Sequence, residues 1–457
     1  MSGNTNVKIL TTSTANDKLT LFAVGLNTLT LTSQSGQTVS LLAKPIGPDF
    51  IHVNGRMEPQ VTVSVPQGIY TSATISPGGA GFTCVGLASD GTILTRDADF
   101  GSLPTGDVTV TLPAPITITG TSMALLLDSL VSQSATFPSP CAQGTSDVSI
   151  MPAFVLTPIT LSAQPTNNGN GKATQLQGMI ASIDVGNASF SLSGIYDGSS
   201  WQAITSGSTL YQGVTVFSQL AVGMPVDMDV AIQPDGSLLA TRVAVYDTDT
   251  TDLSVDVGPV LNTNGTHWQG VIPTTHLLEI GWGVSQGYVS YVSHEPYWNY
   301  GNAVFQISGQ LTNVQSLPFP ASFSTSNVVA GQYVTATTHD SAHLLVTVNG
   351  YSSATTITLL PQTINGTVSA VSSEGSFTTY TVTLASYDLF PTFAVQADQT
   401  TLLTSPNTVV IYADNNTQQL NTNPVAVGSV VRFYGLVFND NGTLRMDCAQ
   451  INDGVPE

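Results

Sequence analysis

Three residues of this chain have the types and the order that a serine hydrolase uses. Residues 283–287 read G-V-S-Q-G, which matches the G-x-S-x-G pattern around a nucleophile, here Ser285. Asp340 and His343 follow it in the order found in α/β hydrolases. That nucleophile turn needs a helix after it, whereas residues 287–292 alternate as a strand does. The sequence therefore predicts no catalytic residue and no enzyme, and a serine hydrolase is the third hypothesis.

Two groups of residues have the chemistry of metal ligands. His339 and His343 have the four-residue spacing of zinc ligands on a helix, but their segment shows no helical period. On a strand they would stand about 13 Å apart. Asp247, Asp249 and Asp252 form an acidic run that suits calcium, although no glycine supplies a tight loop. We therefore expect no metal and no other cofactor, with calcium at the acidic run as the alternative to a solvated linker.

Aromatic side chains are concentrated in one insertion at 258–305, which holds three of the four tryptophans. Such side chains can form the core of their own unit, a protein contact or a platform for sugars, because their rings bury a large area while their polar tips stay hydrated. All three interpretations are open on the sequence alone. The candidate binding residues are Trp268, Trp282, Tyr291, Trp298 and Tyr300.

The elements that must position these residues are strands. Residues 1–165 alternate between apolar and polar types, as in V-T-V-S-V at 61–65, and this period of two is typical of half-buried strands. Turn formers such as Pro66-Gln67-Gly68 separate the runs. Many short strands with frequent turns indicate a β-sandwich. The stretch 164–172 has no apolar side chain and is predicted to be a linker.

A weak internal repeat follows the linker. The pattern Gly-x-apolar-x-x-apolar starts at Gly178, Gly309 and Gly366, and the pattern apolar-Gly-x-x-Val has its glycine at Gly223, Gly331 and Gly428. The first and last copies also share a predicted hairpin turn, at Asp235-Gly236 and Asn441-Gly442. We therefore predict an all-β chain with a transthyretin- or Ig-like sandwich at 1–165 and three small β-barrel-like repeats. The predicted repeats span 174–247, 248–362 (with the aromatic insertion) and 363–457.

Two resemblances agree with this division. The first 165 residues resemble the transthyretin-like β-sandwich of exported bacterial proteins and lipoproteins, through the segments 29–31, 65–70 and 151–154. The remainder resembles a small repeated β-barrel that often accompanies that domain, through the glycine patterns. Both families are domains of unknown function. The resemblance implies export and a surface location, and it implies no active-site residue.

Charge is the clearest constraint on partners. Only 8% of the residues are charged, against about 25% in typical soluble domains. The net charge of -20 would repel nucleic acid and anionic membranes. The mean hydropathy is +0.19, yet no apolar run is long enough for a transmembrane helix. We therefore expect neither nucleic acid nor a membrane span.

Cysteines and the first residues bear on the compartment. Cys84 and Cys141 fall in one predicted domain and would form a disulfide in an exported protein, the alternative being buried free thiols that include Cys448. Residues 1–6 lack the basic and apolar segments of a signal peptide. The sequence therefore predicts either a mature exported form with an added Met or a chain that is not exported.

Three functions are consistent with these features. The first is a non-enzymatic structural protein of the bacterial cell surface or extracellular space, a filament subunit whose copies pair along strand edges. A low-charge surface rich in Thr and Ser offers little repulsion between copies. The second is an adhesin or carbohydrate-binding protein that uses the aromatic insertion and exposes Trp282 and Trp298. The hydrolase comes last, so the expected partners are other copies of the chain and, in the second case, glycans.

Overall fold

The structure is a computed structural model of an all-β chain. It describes residues 3–15, 19–87, 93–99, 106–136, 149–161, 171–194, 199–251, 253–263, 277–280, 297–309, 316–339, 352–394 and 403–456. No helix in this part of the chain is longer than five residues, which confirms the predicted fold class. The chain divides into two compact units: unit 1 comprises Met1–Ala15, Leu21–Thr83 and Asp97–Val245, and unit 2 comprises Asn16–Thr20, Cys84–Arg96 and Tyr246–Glu457.

The N-terminal part is built from two main sheets. Its elements are β1 Asn4–Thr14, β2 Leu19–Ser33, β3 Thr38–Ser40, β4 Glu58–Pro66, β5 Gly68–Leu87, β6 Ile93–Asp99, β7 Val108–Val110, β8 Ile116–Ile118, β9 Ser122–Leu130, α1 Val131–Ser134, β10 Ala135–Thr136, β11 Ser149–Ile150 and β12 Phe154–Ile159. One sheet has the order β12-β9-β1-β4, and the other has the order β3-β2-β5-β6, with β7 and β8 also paired to β5. Strand β1 is internal, parallel to β9 and antiparallel to β4.

The period of two explains which side chains enter the core of the first sheet. Val7 and Ile9 of β1 are fully buried, as are Leu125 and Leu127 of β9. On the opposite face of β1, Asn4 and Asn6 are exposed. The helix-forming run M-A-L-L-L at 123–127 is nevertheless a strand, because it pairs with β1 on one side and with β12 on the other.

The first repeat follows in the same unit. Its strands are β13 Lys172–Asp184, β14 Ser189–Gly194, β15 Ser200–Ile204, β16 Leu210–Gln212, β17 Pro225–Ile232 and β18 Leu238–Val245, and a 3-10 helix spans Phe217–Gln219. The strands pair in the order β15-β14-β13-β17-β18-β16. Because β15 also pairs in parallel with β18, five of these strands form a ring around a core that includes Ile180, Leu192 and Val243.

The third repeat is a closed five-stranded barrel. Its elements are β26 Gln362–Glu374, β27 Phe377–Leu384, α2 Leu389–Phe393, β28 Thr408–Gln419, β29 Val430–Asp440 and β30 Thr443–Asp453. They close in the order β26-β27-β28-β30-β29, with β28 and β30 parallel. The order around the barrel is thus first-second-third-fifth-fourth, with the third and fifth strands parallel.

The second repeat has the same pairings but an open sheet in the described residues. Its strands are β19 Ser254–Asn262, β20 Leu277–Ile280, β21 Tyr297–Asn299, β22 Val304–Ile307, β23 Tyr333–Thr338, β24 Ser352–Ser353 and β25 Thr356–Leu359. The sheet order is β22-β25-β23-β19-β20-β21-β24. Strands β19, β22, β23 and β25 correspond to the first, third, fourth and fifth strands of the barrel. As in the barrel, β19 pairs antiparallel with β23, and β22 pairs in parallel with β25.

One backbone arrangement recurs in all three repeats. The N–H groups of Gly223, Gly331 and Gly428 donate to the carbonyls of Ile180, Val260 and Val368, in that order, and the N–H groups of these three residues donate to Met224 O, Gln332 O and Ser429 O. A bulge follows each of the three acceptors on its own strand. The second predicted pattern, apolar-Gly-x-x-Val, therefore marks the same turn three times.

The structure corrects one assignment of the first pattern. In the second repeat, the residue that occupies the place of Gly178 and Gly366 is Gly258, which pairs with Val334 on the fourth strand. Gly309 lies beyond the end of β22 instead. The sequence pattern chose the wrong glycine because its last apolar position is Thr263 when counted from Gly258, whereas it is Val314 when counted from Gly309.

Candidate functional site

The described members of the aromatic insertion lie in a core and not on a surface. Trp298 and Tyr300 are both 0% exposed. They share an apolar cluster with Phe319 and Phe323 of the second repeat and with Phe377, Tyr412 and Phe438 of the third. The expectation that Trp298 is exposed is therefore wrong, because this cluster covers its indole. Trp268, Trp282 and Tyr291 lie outside the described residues.

The guanidinium group of Arg445 packs against one side of this aromatic cluster. The guanidinium carbon of Arg445 lies 5.6 Å from the ring centre of Phe319 and 5.9 Å from that of Tyr412. Its Nε donates to Asp440 Oδ2 at 2.8 Å. Arg445 thus joins an ion pair to two aromatic faces, an arrangement that stabilises packing. The barrel face formed by β27, β28 and β30 therefore packs against the second repeat.

The serine hydrolase hypothesis requires its three residues to lie close together. Ser285, Asp340 and His343 lie outside the described residues, and so does the strand predicted after Ser285. The neighbouring His339 is described, and its contacts differ from those of a metal ligand or a general base. Its ring contacts Asp247 and Thr251 in the segment that connects the first and second repeats. We call this pair of contacts the clamp.

Both ring nitrogens of His339 face oxygen acceptors. Nδ1 is 2.9 Å from Thr251 O, and Nε2 is 3.2 Å from Asp247 Oδ2. A carbonyl and a carboxylate only accept, so the protonated ring, which has two N–H groups, is the form that makes both bonds at once. Partial burial lowers the pKa of His339, but the bond to Thr251 and the charges of Asp247 and Asp249 outweigh it and raise the pKa above 6.5.

In the acidic run, the carboxylates of Asp247 and Asp249 accept hydrogen bonds from backbone N–H groups of the same turn. Asp247 Oδ1 accepts from the N–H of Asp249 at 3.0 Å, and Asp249 Oδ1 accepts from the N–H of Thr251 at 2.9 Å. Asp252 lies outside the described residues. In the described part of the chain, no group of three or more His, Cys, Asp or Glu side chains has a geometry that could hold a metal ion.

Unit 1 contains buried charges that the sequence analysis did not single out. Arg242 is 5% exposed and lies between two carboxylates on β17. Its Nη2 is 2.5 Å from Asp227 Oδ1, and its Nε is 2.8 Å from Asp229 Oδ2. Asp229 also accepts from the N–H of Gln175 at 2.9 Å. The signal was an arginine and two aspartates inside strongly apolar strand runs, which require paired burial.

A second buried cation fixes the first repeat to the sandwich within unit 1. Arg56 Nη1 donates to Thr174 O at 2.9 Å and to Gln175 Oε1 at 3.2 Å, and its Nε donates to His52 O at 3.0 Å. Burial, and then the charge of Arg56, hold the pKa of His52 well below 6.5. His52 is therefore neutral, although its Nε2 is 3.5 Å from Glu58 Oε2.

The cysteines divide into two kinds. Cys84 is disulfide-bonded, as the sequence analysis predicts for one half of a pair. Cys141, the expected other half, lies outside the described residues. Cys448 is a buried free thiol, and burial together with the charge of Asp447 raises its pKa well above 9.0.

Several strands end their sheets in the described residues. Two open backbone edges bear on association, one on β4 and one on β26. Strand β4 ends its sheet, and in the described residues no strand pairs with its outer side. The first repeat covers the beginning of β4, where Trp201 Nε1 donates to Pro59 O at 2.8 Å. Gly236 of the first repeat also lies close to the side chain of Thr62. Residues 61–66, V-T-V-S-V-P, carry no charge, and Thr62, Ser64 and Pro66 are exposed. The second open edge is at the end of β26, over residues 369–374.

Comparison with known proteins assigns no family to this chain. No known family model matches the sequence, and no curated protein is similar enough to count as a relative. Among the described residues, no helix is long and apolar enough to cross a membrane. The fold and the site thus define an all-β protein that consists of a two-sheet domain and three related β repeats.

Proposed function

We propose that this chain is a non-enzymatic structural protein of the cell surface or extracellular space, and that its copies associate along open strand edges. The observation that carries the proposal is the outer side of β4 over 61–66. Natural edge strands are usually short, charged, covered or blocked by proline, whereas over 61–65 this one alternates valine with Thr and Ser and has neither a charge nor a proline.

Two further features support the proposal. An unpaired edge leaves N–H and C=O groups that another strand satisfies, so a self-complementary edge favours association. The disulfide at Cys84 is typical of exported proteins, because reducing compartments keep thiols free. The low charge content of 8% limits short-range repulsion at such contacts.

The test places charges on the edge. Thr62→Lys/Ser64→Lys changes two exposed side chains of β4, and Thr378→Lys/Thr383→Lys makes the same charge change on exposed positions of β27, which has a strand on each side. In sedimentation velocity over a range of concentrations, we expect the wild type and the β27 variant to form large species and the β4 variant to form smaller ones. A wild type that stays monomeric, or a β4 variant that matches the wild type, would overturn the proposal.

A further inference from the structure

The hairpin of β26 and β27 extends beyond the barrel of the third repeat. Strand β26 pairs with β29 over Gln362–Thr367. Val368 makes the last backbone bonds on that side, with Gly428 and Ser429. Within the described part of the chain, β26 beyond Val368 pairs with β27 alone. Residues 369–374 therefore have one open backbone edge.

This open edge is exposed and nearly uncharged, and after the bulge between Val368 and Ala370 its pairing with β27 is regular. All six of its residues, S-A-V-S-S-E, are exposed. Its inner side is held to β27, since Ser369 Oγ donates to Thr381 O at 3.0 Å and the hydroxyls of Ser372 and Thr379 are 2.6 Å apart. Val371 is 41% exposed near the middle of the edge. A preformed strand with free N–H and C=O groups is a template for one more strand.

We propose that residues 369–374 pair antiparallel with the same edge of a second copy of this chain. In a two-fold pairing centred on Val371, the two Val371 side chains become neighbours, and Ser369 of each copy stands opposite Ser373 of the other. The pairing stops short of Val368, whose outer side is bonded to Gly428 and Ser429. A parallel pairing would instead set the two Glu374 carboxylates side by side, and directly opposed like charges destabilise strand pairs. The only charge on the edge thus selects the antiparallel, self-complementary arrangement.

The corresponding edge of the first repeat is a poorer template. Strand β13 pairs with β17 as far as Met179, and Ile180 makes the last bonds on that side. The strand then ends at Asp184. The carboxylate of Asp184 accepts bonds from the turn residues Gly186 and Asn187, so the open edge is limited to residues 181–184 and is shorter than the edge at 369–374. The third repeat is therefore the one whose first strand carries the contact.

This inference rests on the proposed function, because it adds a second contact to that of β4. One self-pairing edge yields a closed dimer. Two different self-pairing edges on each chain allow every copy to join two others, which is the minimum for an open polymer. We therefore assign the β26 edge as the second of these contacts.

Cross-linking tests the geometry directly. Val371→Cys in the full chain is oxidised beside Val427→Cys, a valine that is 65% exposed in a turn outside any strand. Cys84 is already bonded and Cys448 is buried, so the introduced thiol is the reactive one. We expect a disulfide-linked dimer for Val371→Cys at least tenfold more abundant than for Val427→Cys. Equal yields would overturn the inference.

Edge-blocking variants separate this inference from the proposed function. By sedimentation, Val371→Lys should stop at a dimer joined through β4, Thr62→Lys/Ser64→Lys should stop at a dimer joined through β26, and the triple variant should be a monomer. Val427→Lys should match the wild type. A Val371→Lys variant that still polymerises contradicts the β26 contact and leaves the β4 contact intact. A monomeric wild type contradicts both.

Discussion

The ring of Phe390 lies directly against the backbone of Gly331, where an added Cβ would stand 2.5 Å from the ring's Cδ1. Phe390 belongs to α2 of the third repeat, and Gly331 to the recurrent turn of the second. Ala330, next to Gly331, is buried with Leu389 and Phe393. The same turn in the third repeat has open space around Gly428. One turn motif therefore serves as a packing surface in the second repeat and as a free surface in the third.

This difference predicts unequal costs for the same substitution. Gly331 and Gly428 have φ of +99° and +90°, so alanine is strained at both by about 1–2 kcal/mol. Gly331→Ala should cost a further 1–3 kcal/mol, roughly, because it overpacks the Phe390 contact. Urea denaturation of the two variants measures the difference. Equal losses would show that Phe390 moves away freely.

Removal of a buried cation should destabilise unit 1 strongly. Arg242→Met leaves Asp227 and Asp229 buried without their counter-ion, and such losses cost about 3–5 kcal/mol. Arg445→Met, at a more exposed ion pair, should cost roughly 1 kcal/mol. Denaturation midpoints report both values. A small effect at Arg242 would mean that water or another group compensates the carboxylates.

Asp447 should make unit 2 less stable as the pH rises. Burial, and then the charge of Asp414, raise the pKa of Asp447 from 3.8 to about 7. A raised pKa in the folded state means that folding binds a proton between these two values, so stability falls as the pH rises from about 4 to about 7. Asp447→Asn should remove this slope and exceed the wild type in stability at pH 8 but not at pH 4. Parallel curves for both proteins would contradict the raised pKa.

His339 should titrate above its usual range. Its pKa is raised, so the clamp stabilises the fold below about pH 6.5 and is lost as the pH rises through the folded-state pKa. NMR titration of the ring protons should give a pKa above 6.5 in the wild type and a lower one in Asp247→Asn. An unchanged pKa in the variant would show that the carboxylate does not hold the ring.

The thiols should react in a fixed order. Because Cys448 is buried with a raised pKa, the native protein should label at no cysteine. Unfolding without reductant should expose one thiol, and reduction should expose all three. Peptide mapping should identify Cys141 as the partner of Cys84. Labelling of more than one thiol before reduction would contradict the disulfide.

Local patterns of the sequence predict the strands well. Alternation predicts β4, and the dipeptide Asn441-Gly442 predicts the hairpin of β29 and β30, where both residues have positive φ. The turn glycines 223, 331 and 428 are found because each repeat needs the same backbone conformation there.

Long-range packing explains what the sequence does not predict. The residues next to Trp298 in the sequence do not indicate whether its indole is buried or exposed. Its burial depends on Phe319 and Phe323, which reach it only in the fold. The pairings of Arg242 and Arg56 likewise depend on strands that come together only in the fold. The open edge of β26 appears only once the pairing of β29 is known to end at Thr367.

Electron microscopy of the purified full chain tests the central claim most directly. Wild-type protein and the Thr62→Lys/Ser64→Lys/Val371→Lys variant are imaged at the same concentrations. We expect repeating linear assemblies of the wild type and dispersed single particles of the variant. Dispersed single particles of the wild type at every concentration would contradict a structural protein that assembles along its strand edges.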